Sequence, residues 1–195
     1  INATIFTGEE ELENKSILIQ NGLIFSITDQ SEIPSDYQIT DLRGLYIAPG
    51  LIDLQIYGSG GKLFGALPDE EGLKQLEKDL LNQGTTGFFA TAGTNSDEVV
   101  IKAIDAAKGY RKKAIGNFLG LHLEGPYLNE KRKGAHPEKY IKKGTLVEIK
   151  RWVERAEGEL KMMTIAPELQ DQELIDYLHS NNIIISAGHS NASYE

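Results

Sequence analysis

Cysteine is absent from all 195 residues. That excludes a disulfide framework, a thiolate metal site and a cysteine nucleophile, so any metal would have to be held by histidine, carboxylate, amide or water. The absence also fits a cytoplasmic location. Positive charge is scarce too: 20 Lys and Arg against 29 Asp and Glu give a net charge of -9, the wrong sign for a nucleic-acid footprint. An anionic small molecule is still allowed, because local donors can outweigh the global charge. No apolar run reaches the roughly 18 residues of a membrane span. The N-terminus has neither the basic start nor the apolar stretch of a signal peptide. What is present, 40% hydrophobic residues, is enough to bury a core and suggests one domain, or one domain with an appendage. Because the chain starts at Ile1 and stops near Asn191 to Glu195, where a helix is about to begin, the expectation is a piece of a longer protein.

The segment Lys15 to Thr28 reads KSILIQNGLIFSIT, two apolar runs broken at Asn21-Gly22, which predicts a β-hairpin. Gly44 to Ile56 is apolar and β-branched with Pro49-Gly50 in its middle, predicting a strand on each side of a turn. Thereafter helical and strand patterns alternate. Helices are expected at Glu70 to Gln83, ending at Gly84, at Ser96 to Lys108 with Ser96 as a cap, at Leu146 to Ala156 and at Asp171 to Ser180. Strands are expected at Thr86 to Thr91, Asn117 to Glu124, Lys161 to Ala166 and Ile183 to Ala187. Repeated βα units imply a parallel sheet, either doubly wound or the first part of an eight-stranded barrel, which needs about 250 residues. Gln55, Thr91, Glu124, Glu168 and His189 each fall at or just past a strand's C-terminal end, which is the active face of a barrel.

Two stretches can carry chemistry. In LGLHLEGPYLNEKRKGAHP, Leu119 to Pro137, Glu124 ends a strand just before Gly125-Pro126. It is either a functional carboxylate in a mouth or a strand-end charge that is solvated or paired. His122 shares its face by alternation, and taken alone a strand histidine is more often structural. Gly134-Ala135-His136, after the basic run Lys131 to Lys133, can offer backbone N–H groups and an imidazole to a phosphorylated or polyhydroxylated ligand, or it is a solvated loop. In IIISAGHSNASYE, Ile183 to Glu195, a strand ends in small residues around His189, which leaves room for a metal. A catalytic metal often takes three protein ligands and keeps one position for water, so Glu124 and His189 at two strand ends reinforce each other. His179 reads as a surface residue in a last helical turn. Gly58 to Gly61 lack the spacing of a dinucleotide fingerprint and shape a loop.

Taken in order, APGLIDLQIYGSGG, GTTGFFAT, LGLHLEGPYLNEKRKGAHP, TIAPE and SAGHSNASYE resemble the N-acetylglucosamine-6-phosphate deacetylases, from about Leu42 to the end. The resemblance implies an α/β fold: a partial (β/α)8 TIM-type barrel over residues 47–195, about the first five βα units, preceded over residues 1–46 by part of a small β-sandwich domain. It implies a metal-dependent amidohydrolase of amino-sugar catabolism with one divalent metal ion, zinc or iron. Glu124 and His189 match metal ligands, and Ala135 and His136 match the loop that holds the sugar phosphate. Gln55 and Tyr57 stand where many members of the superfamily carry a histidine pair, so a single metal is expected, with Gln55 near it. The family's second histidine ligand and its catalytic aspartate lie beyond residue 195, so these residues alone are expected to be inactive. The full-length protein is expected to be a cytoplasmic homodimer acting on a small amino-sugar phosphate, with no nucleic-acid or membrane partner. The rival readings are another amide or cyclic imide as substrate, and a non-catalytic half-barrel.

Overall fold

Asn21 and Gly22 both adopt positive φ, 53° and 76°, the pairing that a two-residue hairpin turn demands and that Asn-Gly tolerates best. The turn lets Lys15–Gln20 (β3) fold back antiparallel on Leu23–Asp29 (β4). Beside this hairpin, Thr4–Phe6 (β1) pairs antiparallel with Glu11–Leu12 (β2) and parallel with Tyr46–Ile47 (β5). The computed structural model describes residues 1–194, and these two small sheets form one of its two units, Ile1–Gly50. The hairpin was legible in the sequence, whereas β1 and β2 are too short to show a periodicity.

The second unit begins at Leu51 and alternates strand and helix. Leu51–Ile56 (β6) leads to Glu70–Asn82 (α1), Thr85–Gly93 (β7), Asp97–Arg111 (α2) and Phe118–Glu124 (β8). Leu146–Ala156 (α3), Leu160–Ile165 (β9), Gln172–Ser180 (α4) and Ile184–Ala187 (β10) complete it. All strand pairs are parallel, and the order across the sheet is the order along the chain. A doubly wound sheet reverses its strand order at a switch point, whereas a barrel adds each strand beside the last. The observed order is the barrel's. Successive helices pack side by side, α1 on α2, α2 on α3 and α3 on α4, as a single outer row. Among the described residues β6 and β10 each have one neighbour, and Leu51, Ile52, Leu54 and Ile184 at these edges are exposed.

The helices start where local chemistry dictates. The Asp69 carboxylate accepts from Gly72 N at 2.6 Å, and the Thr145 hydroxyl accepts from Glu148 N at 3.3 Å, so each satisfies one of the N–H groups a helix start leaves open. Ser96 differs from expectation: it occupies the N-cap of α2, but its side chain makes no capping bond. The acidic Asp97 and Glu98 of the first turn supply the negative charge that a helix N-terminus favours. Gly84, with φ of 83°, turns the chain from α1 into β7.

Between the sheet and the helix row lies one apolar core that includes Phe64, Leu73, Phe88, Phe118, Trp152 and Met163. The Trp152 ring stacks on Tyr127, with centroids 5.6 Å apart, and its indole N–H reaches Asp97 at 2.9 Å. One charge is buried with the core. Glu77 on α1 is 1% exposed and takes the Tyr110 hydroxyl together with the N–H groups of Ile115 at 3.0 Å, Gly116 at 3.3 Å, Asn117 at 3.2 Å and Phe118 at 3.3 Å. It therefore fixes the loop that feeds β8, the strand carrying Glu124. Removing it would orphan several of these donors, each costing about 1–3 kcal/mol when left buried. We expect Glu77→Ala to lower the unfolding free energy by about 3 kcal/mol or more in urea titration. A loss of only a few tenths would show that the loop does not depend on it.

Candidate metal centre

The side chain of Glu124 stands at the C-terminal end of β8, the middle strand of the sheet, and is only 5% exposed. A buried carboxylate stays ionised only if donors replace the water it has lost. Three side chains do so, and a fourth, His189, closes on it. Gln55 Nε2 donates to Oε1 at 2.9 Å, and the Tyr57 hydroxyl donates to Oε2 and accepts from Gln55 at 2.8 Å. His136 Nε2 lies 3.2 Å from Oε2, and His189 Nε2 lies 3.2 Å from Oε1. Burial works against the charge, but the His136 and Tyr57 hydrogen bonds and the two nearby imidazoles outweigh it and hold the carboxyl at about 2. The same contact, added to burial, pushes the Tyr57 phenol up to about 12.

The two histidines meet edge to face, with centroids 4.5 Å apart, but their remote nitrogens have opposite partners. His189 Nδ1 faces the carbonyl of Arg132 at 2.8 Å. A carbonyl only accepts, so Nδ1 carries a proton, and in the neutral form of the ring Nε2 turns its lone pair toward Glu124. His136 Nδ1 instead accepts from the backbone N–H of Thr94 at 3.4 Å, which puts the proton on Nε2 and makes it a donor. His136 thus completes a hydrogen bond to Glu124. A neutral His189 meets the same carboxylate lone pair to lone pair, a contact that a proton or a cation between the two would satisfy.

Oxygen and nitrogen donors of Glu124, His136 and His189 all lie within 4.8 Å of one another, the one such group of three among the described residues. A divalent ion fits Glu124 and His189 in chemistry and in spacing, whereas His136, with its proton on Nε2, offers a hydrogen bond beside them. The sequence reading had named Glu124 and His189 as metal ligands and His136 for the substrate, with Gln55 near the site, and the fold brings all four together. Ala135 is exposed beside Gly134 and adds no side-chain donor. Tyr57 is the residue whose orientation the sequence left open; it follows Gln55 by the two-residue alternation of a strand and reaches the same carboxylate. His122 is a structural histidine. Its Nδ1 donates to the Leu54 carbonyl at 2.9 Å and its Nε2 accepts from the Thr164 hydroxyl at 2.8 Å, and burial pushes its pKa down. His179 is exposed in the last turn of α4, and Gly58 to Gly61 form a turn closed by Lys62 N to Ser59 O at 2.8 Å.

Glu168 supports the site from just beyond β9. Burial works against its charge, but the N–H of Asn191, the amide of Asn129 and the hydroxyl of Ser190 prevail and hold it at about 2. With a folded value below the ordinary 4.5, its stabilisation is complete above 4.5 and is lost as pH falls from there through about 2. The carboxyl 13C resonance of Glu168 should therefore stay at its ionised shift down to pH 4; a midpoint at the ordinary value would contradict the network.

Comparison with known proteins places this geometry in a family. The profile of the NagA composite domain matches residues 1–47. The N-acetylglucosamine-6-phosphate deacetylase of Haemophilus influenzae is 34% identical over 195 residues, 100% of this chain and 51% of the relative. An N-acetylgalactosamine-6-phosphate deacetylase from a Shewanella species is 30% identical over 99% of this chain and 49% of its own length. The crystal structure of N-acetylglucosamine-6-phosphate deacetylase from Pasteurella multocida superposes with a TM-score of 0.90 at 32% identity, covering 100% of this chain and 51% of that one. The chain spans about half the length of the curated relatives it matches. Matched throughout by the N-terminal half of these proteins, the chain belongs to the N-acetylglucosamine-6-phosphate deacetylase family.

Proposed function

We propose that the protein carrying these residues hydrolyses the acetamide of N-acetylglucosamine 6-phosphate to glucosamine 6-phosphate and acetate, using one divalent metal, zinc or iron, held by Glu124 and His189. The observation that carries the metal assignment is the close approach of His189 Nε2 to the Glu124 carboxylate, 3.2 Å, with the far nitrogen of the ring engaged by the Arg132 carbonyl. Glu124 and the neutral form of His189 would both serve as ligands to such an ion. When bound, such an ion polarises a carbonyl and acidifies water. In the same reading residues 1–46 are part of a small β-sandwich and residues 47–195 the first part of a (β/α)8 barrel.

The chain's own residues then divide the remaining work. His136, held by Thr94 as the Nε2–H tautomer, donates to Glu124 in this structure; turned to the substrate, the same N–H is suited to the acetyl carbonyl oxygen, where charge grows as water adds to the carbon. Gln55 and Tyr57 hold the Glu124 carboxylate in place. The loop of Lys131 to His136 presents positive charge and, through Ala135, main-chain donors to the sugar phosphate. Breaking the C–N bond requires a group that takes a proton from water and delivers it to the amine. The one carboxylate in the donor cluster is Glu124, which the metal occupies, so the reading assigns that step to the family's aspartate outside residues 1–195. Residues 1–195 alone would then be without turnover.

The test is metal content and acetate release by the whole protein, offered both N-acetylglucosamine 6-phosphate and its galacto epimer. The expected result is about one ion per chain, with faster turnover of the gluco substrate. Glu124→Gln and His189→Asn should each weaken metal binding by about 100-fold or more, while His136→Asn should keep the ion and lower kcat by roughly 100- to 1,000-fold. A metal-loaded protein that leaves both sugars intact would end the deacetylase reading. Loss of the ion in His136→Asn would instead make His136 a ligand.

A further inference from the structure

His189 adopts φ of 49°, a left-handed conformation that residues with side chains avoid. Something must hold it there, and the hydrogen bonds show what does. Its carbonyl accepts from Asn129 N at 3.0 Å, and its Nδ1 donates to the Arg132 carbonyl at 2.8 Å. Arg132 Nε in turn reaches the Asn191 side chain at 2.8 Å. The loop after β8 and the loop after β10 are therefore laced together around the imidazole. One side chain from a third loop grips both. Glu168, in the turn after β9, accepts at Oε1 from Asn129 Nδ2 at 2.9 Å and from Asn191 N at 2.7 Å, and at Oε2 from the Ser190 hydroxyl at 2.7 Å.

We propose that Glu168 is a positioning residue for His189: by binding the loop after β8 and the two residues following His189, it keeps the Nδ1–H bond to Arg132 and thereby the Nε2 lone pair aimed at Glu124. The proposal rests on the metal-centre reading for its functional consequence, though not for its geometry. Glu168 does not belong to the donor cluster, and both its oxygens are engaged by the loops. Its action on the site is therefore through His189. The bonds on Oε1 are accepted from N–H groups, and the bond on Oε2 comes from a hydroxyl that can also accept. A glutamine can reproduce this pattern without the charge; an alanine cannot.

The experiment uses the whole protein as wild type, Glu168→Ala and Glu168→Gln. In the metal-free proteins, long-range 1H–15N correlation of the His189 ring should show a single Nδ1–H tautomer for wild type and Glu168→Gln, and an averaged mixture for Glu168→Ala. Zinc competition against a chromophoric chelator should show Glu168→Ala binding about 10- to 100-fold more weakly, as loss of an outer-shell partner does elsewhere, with Glu168→Gln close to wild type. A folded Glu168→Ala protein that keeps both the single tautomer and the wild-type zinc affinity would overturn the proposal. So would a Glu168→Gln protein that restores neither. Should wild type take up no zinc, the metal-centre reading fails on its own, and the tautomer arm alone then decides the role of Glu168.

Discussion

Everything at the centre follows from one constraint: Glu124 is a charged carboxylate in a place nearly closed to water. At 5% exposure it must be met by donors or take up a proton, and the surrounding residues are arranged to meet it. Gln55 and Tyr57 arrive from β6 and the turn after it, His136 from the loop after β8, and His189 from the loop after β10. These are different points of one sheet. The centre therefore exists only when several parallel strands are side by side with their C-terminal ends level, which is what sequential winding provides. A doubly wound order would have carried some of these ends to the opposite edge.

The scaffold secures that alignment from beneath and from above. Below, Glu77 gathers the N–H groups at the start of β8 and the Tyr110 hydroxyl of α2, so α1, α2 and β8 are fixed to each other at one buried charge. Inside the sheet, His122 joins β8 to β6 through Leu54 and to β9 through Thr164, two residues before the carboxylate. Above, Glu168 ties three successive loops. Burying charge is costly unless it is well bonded, and here each buried or constrained carboxylate is placed where its bonds order a segment that the site uses.

How much of this could be read from the sequence depends on how local its cause is. The Asn21-Gly22 turn, the alternation of helix and strand, and the strand ends at Glu124 and His189 depend on neighbours along the chain, and they stood out as patterns. The winding of the sheet does not, because the same βα alternation serves either order and the choice lies in which strands pair. Ser96 shows the same limit on a small scale: the residue type was right for a cap, but the bond was not made. Glu168 was visible as a strand-end polar residue and Tyr57 only through the resemblance, yet their partners sit 67 residues away for Tyr57 and 39 and 23 residues away for Glu168. No local periodicity encodes such a meeting.

The tautomers are the deepest of these non-local features and the ones that carry most of the chemistry. His136 and His189 are the same residue type at similar distances from the same carboxylate, and sequence pattern, which separated a loop histidine from a strand-end one, says nothing of their tautomers. Their difference comes from main-chain atoms on the far side of each ring: a carbonyl for His189, which can only accept, and an amide N–H for His136, which can only donate. Under the proposed function one ring is thereby suited to be a ligand and the other a hydrogen-bond donor, so exchanging their roles would require rebuilding two loops rather than two side chains. On that reading the division between holding an ion and polarising a carbonyl is written in the backbone of the loops, and the histidines express it.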